Sequence, residues 1–165
     1  TTAHTLSLHD ALPISSLLGQ REGAYGSAHP RFRWTRTLTA SGIRQALGAS
    51  AAGLKGPLQL DVLERGRSGR VLALQVSGTD AGAPVVLKLD RIRRTIRRLP
   101  STLFVIEPQG DQRWLVRGGG FGHGAGLSQA GAIDLAWRGW STERILDHYY
   151  PGTVYGPLPA PLESP

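Results

Sequence analysis

The chain has 165 residues and a formal net charge of +7, with seventeen arginines against two lysines and with no cysteine. This composition excludes disulfides and thiolate chemistry, and the sequence has no apolar run of the roughly 20 residues that a membrane-spanning helix needs. Because arginine forks match the oxygens of carboxylates and phosphates, the charge indicates an anionic partner without identifying it.

The two ends of the chain read as segments outside the fold. Residues 1–15 resemble a translated sequencing adapter and are set aside as a scar, so His4 and His9 carry no functional weight. Residues 156–165 contain four prolines, a composition typical of a disordered tail or linker. Residues 16–155 remain as one domain or part of one.

The first predicted elements are a strand and a short helix. Residues 32–38 alternate apolar and polar side chains, which predicts a half-buried strand with Trp34 as a core anchor. Thr39 or Ser41 can cap the helix that follows, and Gly48 can end it.

Three more predicted strands follow closely. Residues 58–64 and 71–76 are separated by a glycine-containing turn typical of a hairpin, and residues 84–87 predict a third strand after a second turn. Strands joined by such short turns must be antiparallel, because parallel neighbours need a crossover of a dozen or more residues.

An arginine-rich helix is predicted next. Asp90 can cap it, Ile92, Ile96 and Leu99 share one face, and Pro100 stops it. Its arginines are expected to form a solvated face. They are Arg91, Arg93, Arg94, Arg97 and Arg98.

The last predicted strands are residues 102–106, ending at Pro108, and residues 113–117, which lead into a run of glycines. A final helix begins at Ser141. The sequence therefore predicts an α+β fold with a largely antiparallel sheet and a few short helices, ending in a strand, a glycine-rich loop and a helix.

Six glycines stand among residues 118–126, hereafter the glycine loop, and they surround His123. Each glycine would cost about 1 kcal/mol relative to alanine inside a helix, so this stretch is a loop.

Ser128 can cap the helix that follows the glycine loop, and Gly139 can end it. That helix is expected to bury one stripe of side chains. The stripe consists of Gln129, Ala132, Ile133, Ala136 and Trp137.

A strand, a glycine-rich loop and a helix together predict a binding or active site, because small residues let a ligand approach the backbone. The loop fits a loose dinucleotide fingerprint, but no further strand with an acidic residue follows it. A P-loop would need a lysine where Leu127 stands. A nucleophile elbow around Ser128 remains an alternative, although its partners Asp147 and His148 are adjacent. A purely structural loop is the remaining alternative.

The glycine loop and the residues after it resemble the C-terminal signature of the stage II sporulation protein D (SpoIID) and LytB amidase-enhancer family. The resemblance rests on residues 120–132, residues 148–153 and scattered positions between them, and it extends more weakly back to Trp34. It implies a cell-wall protein. SpoIID is a lytic transglycosylase that cuts peptidoglycan glycan strands stripped of stem peptides, whereas LytB enhances an amidase.

The resemblance implies that the loop shapes a sugar-binding groove, with His123 as the auxiliary catalytic candidate. The implied substrate-binding residues are Gly122, His123, Gly124, Ser128 and Gln129. The catalytic glutamate of the family lies in an N-terminal segment with no counterpart here, so the catalytic residue is unknown. Residues 16–155 are therefore expected to be an inactive C-terminal part of a SpoIID/LytB-like domain. None of Glu22, Glu64, Glu107 and Glu143 fits the missing role.

The expected partners are peptidoglycan glycan strands, with an amidase as a second candidate. No cofactor is expected, and His123 has no second ligand at a spacing that zinc sites use. A basic nucleic-acid module is the third alternative, but nucleic acid is not expected because no helix-turn-helix or ribonucleoprotein pattern is present. A location outside the cytoplasm, in the cell envelope, follows from the family alone.

Overall fold

The structure is a computed structural model that describes residues 18–19, 23–80, 82–154 and 156. The proposed adapter segment at residues 1–15, Glu22 and the tail beyond Gly156 lie outside the described residues. The described residues form two compact units. The first unit consists of the described residues within 1–22 and 28–124. The second unit consists of the described residues within 23–27 and 125–165.

The predicted α+β class is confirmed, with two antiparallel three-stranded sheets and a few short helices. In chain order the elements are β1 (Arg33–Thr39), α1 (Ala40–Leu47), a 3₁₀ turn (Gly48–Ala51), β2 (Leu58–Arg65), β3 (Val71–Gly78), β4 (Val85–Lys88), α2 (Arg91–Thr95), β5 (Phe104–Pro108), β6 (Arg113–Gly119), α3 (Gln129–Trp137) and α4 (Thr142–Tyr149). In the described part of the chain, no helix combines the length and apolarity that crossing a membrane requires.

Both sheets belong to the first unit. One has the strand order β2-β3-β4, which is the meander that the short turns predict. The other has the order β1-β6-β5, so the two strands at opposite ends of this unit's sequence pair directly. In that pairing Trp34 lies opposite Gly118, and Leu38 lies opposite Trp114. The sheet therefore fixes the end of β6, from which the glycine loop departs.

A single apolar cluster packs the first unit, and Trp34 is part of it as expected. Phe104 and Val116 are fully buried, and so is Leu74 of the other sheet. Gly118 is required beneath Trp34, because a Cβ there would come within 2.2 Å of the indole ring. Glycine at this position lets the indole approach the β6 backbone closely.

Helix α1 is capped at both ends as predicted. The Thr39 side chain accepts a hydrogen bond from the Gly42 backbone nitrogen at 3.1 Å, and Gly48 with φ of 55° ends the helix. Thr39 rather than Ser41 is the cap. Ile43 and Leu47 are the buried residues of the helix.

Helix α2 differs from its prediction at both ends. Asp90 holds the cap position, but its carboxylate makes no cap bond and instead pairs with Arg93 and Arg94. The backbone of Asp90 is helical, with φ of −67° and ψ of −18°, whereas a capping residue is normally extended, so the carboxylate is not placed to accept from the first free N–H groups. The helix stops at Thr95, well before Pro100. Like charges four residues apart, as in Arg93 and Arg97, oppose its continuation.

The buried stripe predicted for α3 is wrong. Ile133 is 53% exposed and Trp137 is 86% exposed, whereas Gly131 and Leu135 are buried. The helix carries small or apolar side chains on almost every side, so spacing alone does not select the face that packs. The face is selected by α4, whose Tyr149 hydroxyl lies against Gly131.

Candidate functional site

The glycine loop leaves β6 with its first residues anchored to the sheet. The Gly120 backbone nitrogen donates to the Phe32 oxygen at 3.1 Å, and the Trp34 indole donates to the Gly120 oxygen at 2.9 Å. The Gly122 nitrogen then donates to the Pro100 oxygen at 2.9 Å. These three hydrogen bonds fix the backbone conformation at the start of the glycine loop.

Gly120, Gly122 and Gly124 all have positive φ, at 72°, 90° and 76°. These angles lie in the left-handed region that other residues rarely adopt, so the alternation of glycine with larger residues has a conformational cause. The residues between them, Phe121 and His123, are both exposed. The loop thus presents an aromatic ring and an imidazole to solvent.

Arg70 supports the loop from within the first unit. Its guanidinium lies against Gly124, where an added Cβ would come within 2.1 Å of Cζ and Nε. Its Nη1 is buried and has no hydrogen-bond partner in the described structure. Burial lowers the pKa of Arg70 from its usual value. The sequence pattern assigns no role to this arginine.

Phe121 stands at the edge of a cleft. The Arg31 guanidinium carbon lies 4.5 Å from the centre of the Phe121 ring, within the range of a cation–π contact. The ring is nevertheless 62% exposed. An apolar surface of this size in a loop is available for stacking against a ligand.

The cleft beside Phe121 has a volume of about 880 Å³ and is lined by seven arginines. We name it the arginine cleft; its arginines are Arg31, Arg33, Arg36, Arg93, Arg94, Arg97 and Arg98. Trp34, Thr35 and Pro100 are among its other lining residues. Four of its arginines come from α2 and the turn after it, and three of these four are exposed, so the solvated face expected there also forms one wall of the cleft.

The acidic residues that the structure describes in the first unit do not line this cleft. Asp90 pairs with Arg93 and Arg94 from outside it, and the pKa of Asp90 lies below its usual value chiefly because Arg94 donates to it. Glu107 pairs with Arg117 on the β5-β6 sheet. Glu64 is exposed on β2. No carboxyl group stands among the described residues that form the cleft wall.

The predicted site residues are divided between the two units. Gly122, His123 and Gly124 belong to the first unit, whereas Ser128 and Gln129 belong to the second. Ser128 caps α3 as predicted, since its hydroxyl accepts from the Gly131 nitrogen at 3.3 Å. Gln129 is the exposed first residue of that helix.

Two adjacent tyrosines at the end of α4 hold the start of α3. The Tyr150 hydroxyl accepts a hydrogen bond from the Leu127 nitrogen at 3.0 Å. The Tyr149 hydroxyl lies so close to Gly131 that a Cβ added to this glycine would stand 2.1 Å from the hydroxyl oxygen. Burial raises the pKa of Tyr149, while a hydrogen bond with Ser128 opposes that rise. Through these contacts the two hydroxyls stabilise the packing of α4 against the start of α3 within the second unit.

The sequence does not predict the attachment of residues 23–27 to this unit. The Gly26 nitrogen donates to the Asp134 carboxylate at 2.8 Å, across more than one hundred residues of sequence. The Tyr25 ring meets Trp140 and His148 edge-on, with ring centres 5.9 and 5.4 Å apart. His148, which the sequence offers only as a partner in the nucleophile-elbow alternative, is exposed and sits among these rings. No sequence signal links positions so far apart.

Within the part of the chain that the structure describes, no three histidine or acidic side chains gather as a metal site would require. What His123 offers to a ligand is the hydrogen-bonding capacity of an imidazole on an exposed loop.

No curated protein matches the chain. One protein family does, under the description "Domain of unknown function (DUF8618)", and the match covers residues 1–126. That range includes the segment interpreted above as an adapter scar. It ends at Gly126, the last residue of the glycine loop, before Ser128 and Gln129. Since the match covers most of the 165 residues, the chain belongs to the DUF8618 family.

Proposed function

We propose that this chain binds peptidoglycan glycan strands, in the manner of the SpoIID/LytB family that its C-terminal third resembles, and that its described residues do not cleave them. The observation that carries the proposal is the exposed imidazole of His123 on a loop held by Arg70. A location in the cell envelope is part of the same proposal.

The chemistry of the loop suits a sugar. A pyranose ring offers hydroxyl groups around its edge and C–H groups on its faces. The exposed ring of Phe121 can stack on such a face, and the His123 imidazole can donate to a hydroxyl or lactyl oxygen. The glycines on either side of His123 let the ligand approach the backbone closely.

The absence of a suitable acid supports binding without cleavage. Breaking a glycosidic bond needs a carboxylic acid beside the bridging oxygen, with its pKa raised by a dry pocket. The described lining of the arginine cleft contains no carboxyl group, and Glu107 is engaged by Arg117. Glu143 lies in the first turn of α4, where it complements the helix dipole.

A second candidate role, assistance to an amidase, has one observation in its favour. Ile133 and Trp137 are exposed four residues apart on α3. Large apolar side chains on one exposed face are typical of protein-binding surfaces. This face supports the LytB-like alternative, in which the chain contacts an enzyme as well as the wall.

The test is the affinity of the purified chain for fluorescently labelled, peptide-stripped glycan strands. His123→Ala is expected to weaken binding about tenfold, or about 1.4 kcal/mol. His123→Gln should retain part of the affinity, since an amide can also donate. Gln109→Ala, at an exposed turn of the first unit, is the matched control and should bind as the unaltered chain does.

Equal affinity of His123→Ala and the unaltered chain would contradict the proposed site. Anhydro-ended products released from the strands would contradict the claim that the described residues do not cleave.

A further inference from the structure

The arginine cleft carries more positive charge than a glycan strand can neutralise. Its described lining holds seven arginines and no acidic side chain. Its volume of about 880 Å³ is near the upper end of the range for small-ligand sites, so it accommodates a short segment of a polymer. A peptide-stripped glycan offers one lactyl carboxylate for every two sugar rings. Such a ligand leaves most of the guanidinium groups without an anion.

The cleft is built from two separate parts of the sequence. Arg31, Arg33 and Arg36 come from the start of β1 and the residues before it, and the other four come from α2 and the turn that follows. Arginines that merely keep a helix soluble need not converge with those of a distant strand. Their convergence raises the local repulsion, which disfavours the compact state. A dense anion in the cleft removes that repulsion.

The pairing of Asp90 leaves most of this charge in place. Its two oxygens contact Arg93 and Arg94, and it does not line the cleft. Arg97 and Arg98 are exposed, as are Arg31 and Arg36. Exposed guanidinium groups keep their full charge and their planar donor forks, which suit tetrahedral phosphate oxygens.

We propose that the arginine cleft is a second ligand site and binds a polymer with a phosphodiester backbone. In such a polymer every repeating unit carries a negative charge, so several anionic groups reach the cleft at once. Two sources share this chemistry: a polyol-phosphate polymer of the cell wall and a single-stranded nucleic acid. The inference does not depend on the proposed glycan binding, because the arginines that carry it take no part in that binding and the ligand differs; only Phe121 borders both sites.

The experiment measures the affinity of the full chain for three labelled probes: poly(glycerol phosphate), an oligothymidylate and polygalacturonate. The cleft variant is Arg97→Gln with Arg98→Gln. The matched control is Arg67→Gln with Arg113→Gln, which removes the same charge from exposed positions outside the cleft. Circular dichroism and thermal unfolding check that each variant folds.

The cleft variant is expected to bind the phosphodiester probes at least tenfold more weakly, and the control less than threefold more weakly. The slope of log affinity against log salt concentration should flatten by roughly 0.7 for each phosphate that the variant no longer neutralises. His123→Ala should leave phosphodiester binding unchanged, which separates this site from the glycan site.

Phe121 distinguishes the two sources. A nucleobase can stack on the exposed ring, whereas a glycerol unit cannot. Phe121→Ala should therefore weaken oligothymidylate binding and spare poly(glycerol phosphate) if both bind. Preference for either phosphodiester probe over polygalacturonate supports the proposal. Equal binding of polygalacturonate, or equally weakened binding in the cleft variant and the control, would overturn it.

Discussion

The guanidinium of Arg70 lies so close to Gly124 that a Cβ on this glycine would come within 2.1 Å of its Cζ. Gly124→Ala should therefore displace the arginine and also force alanine to a φ of 76°. The left-handed conformation alone costs about 1–2 kcal/mol. We expect a loss of stability of at least that size, measured by urea unfolding.

A double-mutant cycle separates the two causes. In an Arg70→Ala background the collision is gone, so Gly124→Ala should cost only the conformational part. If Gly124→Ala costs the same with and without Arg70, the arginine does not hold the loop.

Gly131 offers a second test, within helix α3. Replacing a helical glycine with alanine usually stabilises by about 1 kcal/mol. Here the new Cβ would stand 2.1 Å from the Tyr149 hydroxyl, so Gly131→Ala should destabilise instead, by about 1–3 kcal/mol. In a Tyr149→Phe background the same change should become neutral or stabilising. Thermal unfolding of the four proteins measures both effects, and stabilisation by Gly131→Ala alone would contradict the packing of α4 on α3.

Asp134 makes the stability of the second unit depend on pH. Hydrogen bonds from Arg138, and then from the Gly26 backbone, lower the pKa of its carboxyl in the folded chain. Its unfolded pKa is about 3.9. The ionised carboxylate therefore stabilises the fold above that pH, and the contribution disappears as the pH falls through the lower folded value.

Asp134→Asn should accordingly destabilise the chain at neutral pH, and its difference from the unaltered chain should shrink below about pH 4. Hydrogen exchange of the Gly26 amide should also become faster. Asp147→Asn, at an exposed position of α4, is the control. A constant difference between Asp134→Asn and the unaltered chain down to about pH 2, well below the unfolded pKa, would rule out this carboxylate as the cause.

Local chemistry explains why much of the fold could be predicted from the sequence. Capping by Thr39, Ser128 and Ser141 is decided within a few residues, and so are the turns of the β2-β3-β4 meander. The pairing of β1 with β6 is different, because no local pattern joins strands so far apart. The same holds for the bond from Gly26 to Asp134.

The errors have physical causes as well. Helix α3 is apolar on almost all sides, so its exposed Trp137 cannot be distinguished from a core residue by spacing. The arginines predicted to form a solvated face of α2 are indeed mostly exposed, but a helical pattern does not show that they border a cleft. Of the candidate site, the loop and its histidine follow from the sequence, whereas the contributions of Arg70 and Arg31 need the fold.

The central claim is that residues 121–124 of the glycine loop contact a sugar. The most direct measurement is a titration of the isotope-labelled chain with peptide-stripped glycan oligomers, followed by the backbone amide and imidazole signals in NMR spectra. We predict that the largest shifts fall on Phe121 and His123 and on the glycines beside them. Saturable binding that leaves those signals unmoved, with shifts confined to other parts of the chain, would contradict the account.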